Sequence, residues 1–109
     1  IVTQVFETET RIEFMTTDGS SWIRNRKGPK FDLIFADAWP GKYSDLDHTL
    51  KLLNPGGFYV IDDMLPQPNW PKGHDLKVNQ LMQDLKSKAG FKMTVMNWST
   101  GVMILTKTK

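Results

Sequence analysis

FDLIFAD, residues 31–37, and LLNPGGFYVIDD, residues 52–63, decide the fold. The first is a mostly apolar run from Phe31 to Ala36 that ends in Asp37 and is followed by the breakers Trp39-Pro40-Gly41, so it reads as a buried strand. In the second, Asn54-Pro55-Gly56-Gly57 stops the preceding segment and turns the chain into another apolar run, Phe58 to Ile61, ending in Asp62-Asp63. Between them Ser44 opens SDLDHTLKLL, with Asp45 and Asp47 in the first turn and Leu46, Leu50 and Leu53 at spacings of four and three. That is the pattern of an amphipathic helix with an acidic start. Strand, helix and strand within about thirty residues make a βαβ unit, for which parallel strands and a right-handed crossover are expected.

Working outward, residues 64–73, MLPQPNWPKG, carry three prolines and are expected to form a loop above the second strand. Asp75 then caps a helix whose apolar positions Val78, Leu81, Met82 and Leu85 keep helical spacing up to Ala89-Gly90. Phe91, Met93 and Val95 alternate with Lys92 and Thr94, and a turn from Asn97 to Gly101 leads into Val102-Met103-Ile104-Leu105, which predicts an antiparallel hairpin. Upstream, Ile12, Phe14 and Met15 suggest a short strand running into Thr17-Asp18-Gly19, followed by a short helix or turn from Ser20 to Ile23. The sequence contains no internal repeat and no low-complexity segment.

Composition narrows the function classes. With 109 residues, 39% apolar and 24% charged, the chain has the profile of one domain and not of a disordered or coiled-coil protein. Its formal charge of +2 is spread out apart from Arg24, Arg26, Lys27 and Lys30, which is too thin a basic footprint for a nucleic-acid partner. The absence of cysteine removes disulfides, thiolate metal sites and a cysteine nucleophile together. No apolar run approaches a membrane span, and IVTQVFETET, residues 1–10, has neither a charged leader nor an apolar signal core, so the expected location is cytoplasmic.

A strand leading to Asp-Gly, the strand FDLIFAD, the LLNPGGFYVIDD turn and strand, and the closing helix and hairpin together resemble the second half of the S-adenosylmethionine-dependent methyltransferase fold. The resemblance covers about residues 11–109 and rests on the combination of features. It implies an α/β fold: a partial Rossmann-like sheet with helices on its faces, parallel strands first and a C-terminal antiparallel hairpin last. The glycine-rich loop of the family's first half, G-x-G-x-x-G, occurs nowhere in these residues, so residues 1–109 are expected to be a single incomplete domain, a fragment inactive by itself.

In such sheets ligands bind beyond the carboxyl ends of the strands. Asp37, Asp62 and Asp63 all fall at such ends, and carboxylates gathered at one place must be wetted, share a proton or hold a cation. The alternative is that each merely caps its turn. Within that fold the pattern resembles the catechol-type O-methyltransferases, which hold magnesium with an Asp after the first of these strands and an Asp-Asn pair after the second. The resemblance therefore implies Asp37, Asp62 and Asp63 as ligands for Mg2+ or another divalent cation, with a carboxylate in place of the amide. The family's basic lysine, three residues beyond the first Asp, is replaced by Pro40. Lys42 lies two residues later, and His74, whose ordinary pKa is near neutrality, is a substitute base or else a solvated residue at a helix start.

For the cofactor, the resemblance implies Asp18 accepting from the adenine amino group, the Gly19 N–H meeting a ring nitrogen, and Asp37, Ala38 and Trp39 forming the adjoining wall. Asp18-Gly19 is equally a plain turn sequence, and Trp39 is either an adenine-packing ring or an anchor of its own turn. Trp70, flanked by prolines, suits a lid over the substrate or packing onto its own domain; Trp22 and Trp98 read as core or turn residues and His48 as a surface residue. The implied reaction is methyl transfer to a small-molecule acceptor, an oxygen in the leading reading. An aminopropyltransferase-like enzyme and a non-catalytic assembly module remain as alternatives. Without the fold's first strand, the strand from Phe31 is expected to be left as a bare edge, which pairs with another copy as a homo-oligomer, recruits residues 11–15, or belongs to a longer chain.

Overall fold

In the computed structural model, which describes residues 5–109, the chain order is α1 (Gly19–Asn25), β1 (Phe31–Phe35), α2 (Leu46–Lys51), β2 (Leu53–Ile61), α3 (His74–Lys86), β3 (Phe91–Met96) and β4 (Val102–Lys107). The four strands form one sheet in the order β1-β2-β4-β3. β1 and β2 are parallel, as the βαβ reading requires, while β4 runs antiparallel to both β2 and β3. The hairpin thus inserts its second strand beside β2.

Register follows from the apolar pattern, because a slip of one residue would exchange the two faces of a strand. Ile34 lies beside Tyr59, Tyr59 beside Leu105, and Leu105 beside Met93, giving one apolar row across all four strands. Tyr59, Ile61, Met103 and Leu105 on this face are wholly buried, and Val78, Leu81 and Leu85 of α3 close over it together with Leu50. The α3 positions are those its helical spacing predicts.

Several local expectations change. α2 begins after Asp45, which stands at φ 56°, and not at Ser44: the Ser44 carbonyl accepts from Gly41 N at 2.7 Å in a closed turn, while the Asp45 carbonyl takes Thr49 N at 3.0 Å. Leu53 belongs to β2, and the Lys107 ammonium donates to the carbonyls of Leu50 at 3.2 Å and Leu53 at 2.8 Å where the helix ends. Asn54-Pro55-Gly56-Gly57 does not precede the strand but lies inside it as a bulge. Phe31 pairs with Leu53 and Leu33 with Phe58, so two steps along β1 match five along β2. At Gly57 a Cβ would sit 2.8 Å from the Asn54 carbonyl oxygen and 2.9 Å from that of Asp32, so a side chain has no room.

Asp75 is in the first turn of α3 but does not cap it; Gly73 precedes the helix at φ 85° and His74 N donates to the Pro71 carbonyl at 3.0 Å, so the helix starts two residues earlier than an Asp75 cap would set it. Residues 11–15 form no strand, because no described strand offers them a row of backbone partners. Trp98 sits in the hairpin turn and is exposed, not in the core.

Among the described strands β1 lies at the sheet edge, and it is not the buried strand expected of FDLIFAD: Ile34, half-buried, packs against the core, while no residue from Phe31 to Phe35 is fully buried. Leu33 is 59% exposed and Phe35 54%, and the adjoining Phe58 of β2 is 44% exposed. The described helices cover the Tyr59 face and leave this second face open. α1 meets the start of β1 through Trp22, whose ring stacks on Phe31 at 6.3 Å with Arg26 over both.

Candidate functional site

Parallel neighbours end on the same side of a sheet, so whatever follows β1 and β2 meets there. Leu33, Ile34 and Phe35 are level with Phe58, Tyr59 and Val60, and two residues further along each strand the same register brings Asp37 level with Asp62. Asp63 follows at φ 58°, a left-handed conformation rare for a residue with a side chain, and this bend returns its carboxylate toward its neighbours. Oxygens of Asp37, Asp62 and Asp63 all lie within 4.8 Å of one another. The three strand-end acids are therefore brought together.

Their electrostatics follow from crowding. Burial first, then hydrogen bonding with Asp37 and the charges of Asp63 and Asp37, push the Asp62 carboxyl above the ordinary carboxylate range, with Lys42 opposing. Asp62 Oδ1 is buried without a partner. Lys42 reaches the cluster: only 6% exposed, it donates from Nζ to the Asp62 carbonyl at 2.6 Å. Burial draws its pKa down, against the charges of Asp62, Asp63 and Asp37. A second tie holds the same loop, the buried Tyr59 hydroxyl donating to the Gly41 carbonyl at 2.6 Å.

Beyond the acids a cleft of about 410 Å³ opens, with Asp37, Ala38, Trp39, Tyr43, Trp70 and His74 among its lining. The aromatic rings form a chain: Trp39 to Tyr43 at 4.7 Å, Tyr43 to His74 at 5.6 Å and His74 to Trp70 at 4.8 Å. Trp39 is half exposed beneath the Lys77 ammonium at 4.6 Å, so it is no buried anchor of its turn. Trp70 packs on the core, and the loop carrying it is tied to the hairpin turn by Met64 N to the Gly101 carbonyl at 3.2 Å and Leu65 N to the Thr100 carbonyl at 2.9 Å. Trp70 thus takes the second of its two readings, packing onto its own domain. His48 is exposed on α2, as expected.

Asp18 and Gly19 lie apart from this cleft, beside a second hollow of about 450 Å³ whose lining includes Gly19, Trp22, Ile23, Pro40 and Gly41. A Cβ on Gly19 would stand 3.3 Å from Pro40 Cβ, so the Asp-Gly turn abuts the Trp-Pro-Gly turn directly. Asp18 Oδ2 accepts from Ser21 N at 3.0 Å as the cap of α1. Tyr43 and Lys77 were not singled out by sequence. The signal for Tyr43 was an aromatic four residues after Trp39 in the same turn, whereas Lys77 had none, because only the packing of α3 brings it over Trp39.

A comparison with family models and with curated proteins finds no match. Solved structures do match. The SAH-bound methyltransferase PaMTH1 of Podospora anserina superposes with a TM-score of 0.78 at 16% identity, over 98% of this chain and 53% of its own. A proposed caffeoyl-CoA O-methyltransferase of Staphylococcus aureus gives 0.78 at 17% identity, over 97% and 56%. The O-methyltransferase TomG of Streptomyces achromogenes, in complex with SAM, gives 0.63 at 22% identity, over 82% and 46%. The chain spans about half the length of the solved structures it matches. At these identities the likeness is one of fold, and the fold is the Rossmann-like methyltransferase sheet. No helix among the described residues is long and apolar enough to cross a membrane.

Proposed function

We propose that residues 1–109 are the second half of an S-adenosylmethionine-dependent methyltransferase, and that the intact parent transfers a methyl group to an oxygen of a small acceptor. The observation that carries this reading is the meeting of Asp37, Asp62 and Asp63 within 4.8 Å at the ends of two paired parallel strands. S-adenosylmethionine, when bound, supplies a methyl carbon attached to a sulfonium. The acceptor hydroxyl gives up its proton, its oxygen forms the new C–O bond as the C–S bond breaks, and S-adenosylhomocysteine and a proton are released.

The residues present fit a hard divalent cation: three carboxylates of the right chemistry and one buried, unpartnered oxygen, Asp62 Oδ1. Bound there, such a cation would lower the pKa of the acceptor hydroxyl. Asp37, Asp62 and Asp63 are assigned to hold it. His74, at the wall of the cleft, is assigned to take the acceptor's proton, since the other basic side chain, Lys42, is turned onto the Asp62 carbonyl. The hollow beside Gly19 and Pro40 is assigned to the adenine ring, with Asp18 and Gly19 at its edge and Asp37, Ala38 and Trp39 on the side facing the acceptor. These residues contain no glycine-rich loop to floor the rest of the cofactor, so the piece alone is assigned no turnover. Its open β1 edge is assigned to a second copy or to the remainder of a longer chain.

Calorimetric titration of Mg2+ into wild type and Asp62→Ala tests the site. A measurable isotherm in wild type that weakens at least tenfold in the variant is expected, a tenfold loss being about 1.4 kcal/mol. Identical flat isotherms would remove the metal from the scheme.

A further inference from the structure

Lys42 is buried to 6% exposure inside a ring of acids, yet it makes no ion pair within 4.0 Å among the described residues. Its Nζ is instead fixed on a backbone oxygen, that of Asp62, and stands 5.2 Å from the Tyr43 ring centroid. An ammonium placed this way exerts its charge on all three carboxylates without occupying any of their oxygens. Burying a lysine costs free energy that a neutral side chain would avoid, so its retention beneath the acids needs a compensating electrostatic gain. With all three acids ionised, three negative charges face one positive charge, and the rim carries two in excess. One divalent cation matches that excess.

We propose that Lys42 is the built-in counter-ion of the Asp37/Asp62/Asp63 rim, a positioning residue that sets the rim's charge for a single divalent cation and ties the loop after β1 to the end of β2. The proposal rests on the metal reading above and extends it to a residue that is not a ligand. It also accounts for a carboxylate at position 63: the added negative charge is balanced by the ammonium beneath it. Asp63→Asn is the matching neutral change, because asparagine is isosteric and tolerates the positive φ found there.

The test is a double-mutant cycle on Lys42→Met and Asp63→Asn, with Lys42→Gln as a second neutral variant that can still donate a hydrogen bond and Lys42→Arg as the charge-keeping one. Mn2+ binding is read from the loss of its free EPR signal, and thermal stability is measured in chelator-treated buffer. Removing the ammonium is expected to tighten Mn2+ roughly tenfold and Asp63→Asn to weaken it by a similar factor. The double variant should return to within about threefold of wild type, and Lys42→Arg should stay near wild type. Without metal, the neutral Lys42 variants should lose stability and Asp63→Asn should restore part of it. Folded Lys42→Met or Lys42→Gln protein that binds Mn2+ no more tightly than wild type would overturn the proposal, as would additive stabilities in the metal-free cycle. If wild type itself binds no Mn2+, the metal reading falls, and the metal-free cycle alone then decides whether Lys42 is a counter-ion.

Discussion

Asp62 carries the pH dependence at the residue scale. Its folded carboxyl holds a proton more tightly than the ordinary value of 3.8 because burial and the neighbouring acids oppose its charge. Between that ordinary value and the raised folded one, the native chain binds more protons than the unfolded chain, so the metal-free protein loses stability as pH rises through that window. Asp45 is shifted the opposite way by its hydrogen bonds with Ser20 and then Arg24, and Asp47 by that with Lys88, and their contribution is lost at the acid end instead. The comparison of wild type with Asp62→Asn cancels those shared terms. Denaturation of both in chelated buffer should give a difference, variant minus wild type, that grows as pH rises above the ordinary carboxylate value of 3.8; a constant difference would contradict the assignment. The three acids were legible in sequence because apolar runs that end in Asp announce strand ends. The reach of Lys42 was not, since it depends on the closed turn from Trp39 to Ser44, in which three successive amides, those of Lys42, Tyr43 and Ser44, donate to one carbonyl, that of Trp39.

Elements were legible where periodicity was strong and obscured where the same residues serve two purposes. The α3 stripe and the hairpin needed only spacing, and the strands followed from their apolar runs. Asn54-Pro55-Gly56-Gly57 has the composition of a turn, but a bulge inside a strand asks for the same glycines, and only the pairing with β1 separates the two. Ile12, Phe14 and Met15 have strand character without a strand beside them, so propensity goes unrealised. The bulge makes a sharp demand at Gly57, where any Cβ would press on two backbone oxygens at 2.8 and 2.9 Å. Gly57→Ala should therefore destabilise the chain by about 2 kcal/mol or more, measured by chemical denaturation, with the loss concentrated in the β1–β2 pairing. Gly56→Ala has open space but a φ of 84°, and should cost less, about 1 kcal/mol.

At the scale of the molecule, the described residues form two layers and leave one face of the sheet uncovered, with Leu33, Phe35 and Phe58 together on that face. Parallel strands of this kind are ordinarily covered on both sides, and a contiguous apolar patch beside an unpaired edge favours association. Sedimentation velocity over a concentration series should show residues 1–109 self-associating, and Leu33→Lys combined with Phe35→Lys should return them toward monomer. A wild-type chain that stays monomeric throughout would mean that the open face is inert. This exposure could not be read from FDLIFAD, because the run specifies what a strand can bury and not what is present to bury it. The strand order carries a separate implication for biosynthesis. β4, which lies between β2 and β3, is the last of the four to leave the ribosome, so β2 and β3 wait for it before either gains its shared neighbour. A stop codon ahead of Val102 would therefore remove the middle of the sheet and leave the two flanking pieces with nothing to join them.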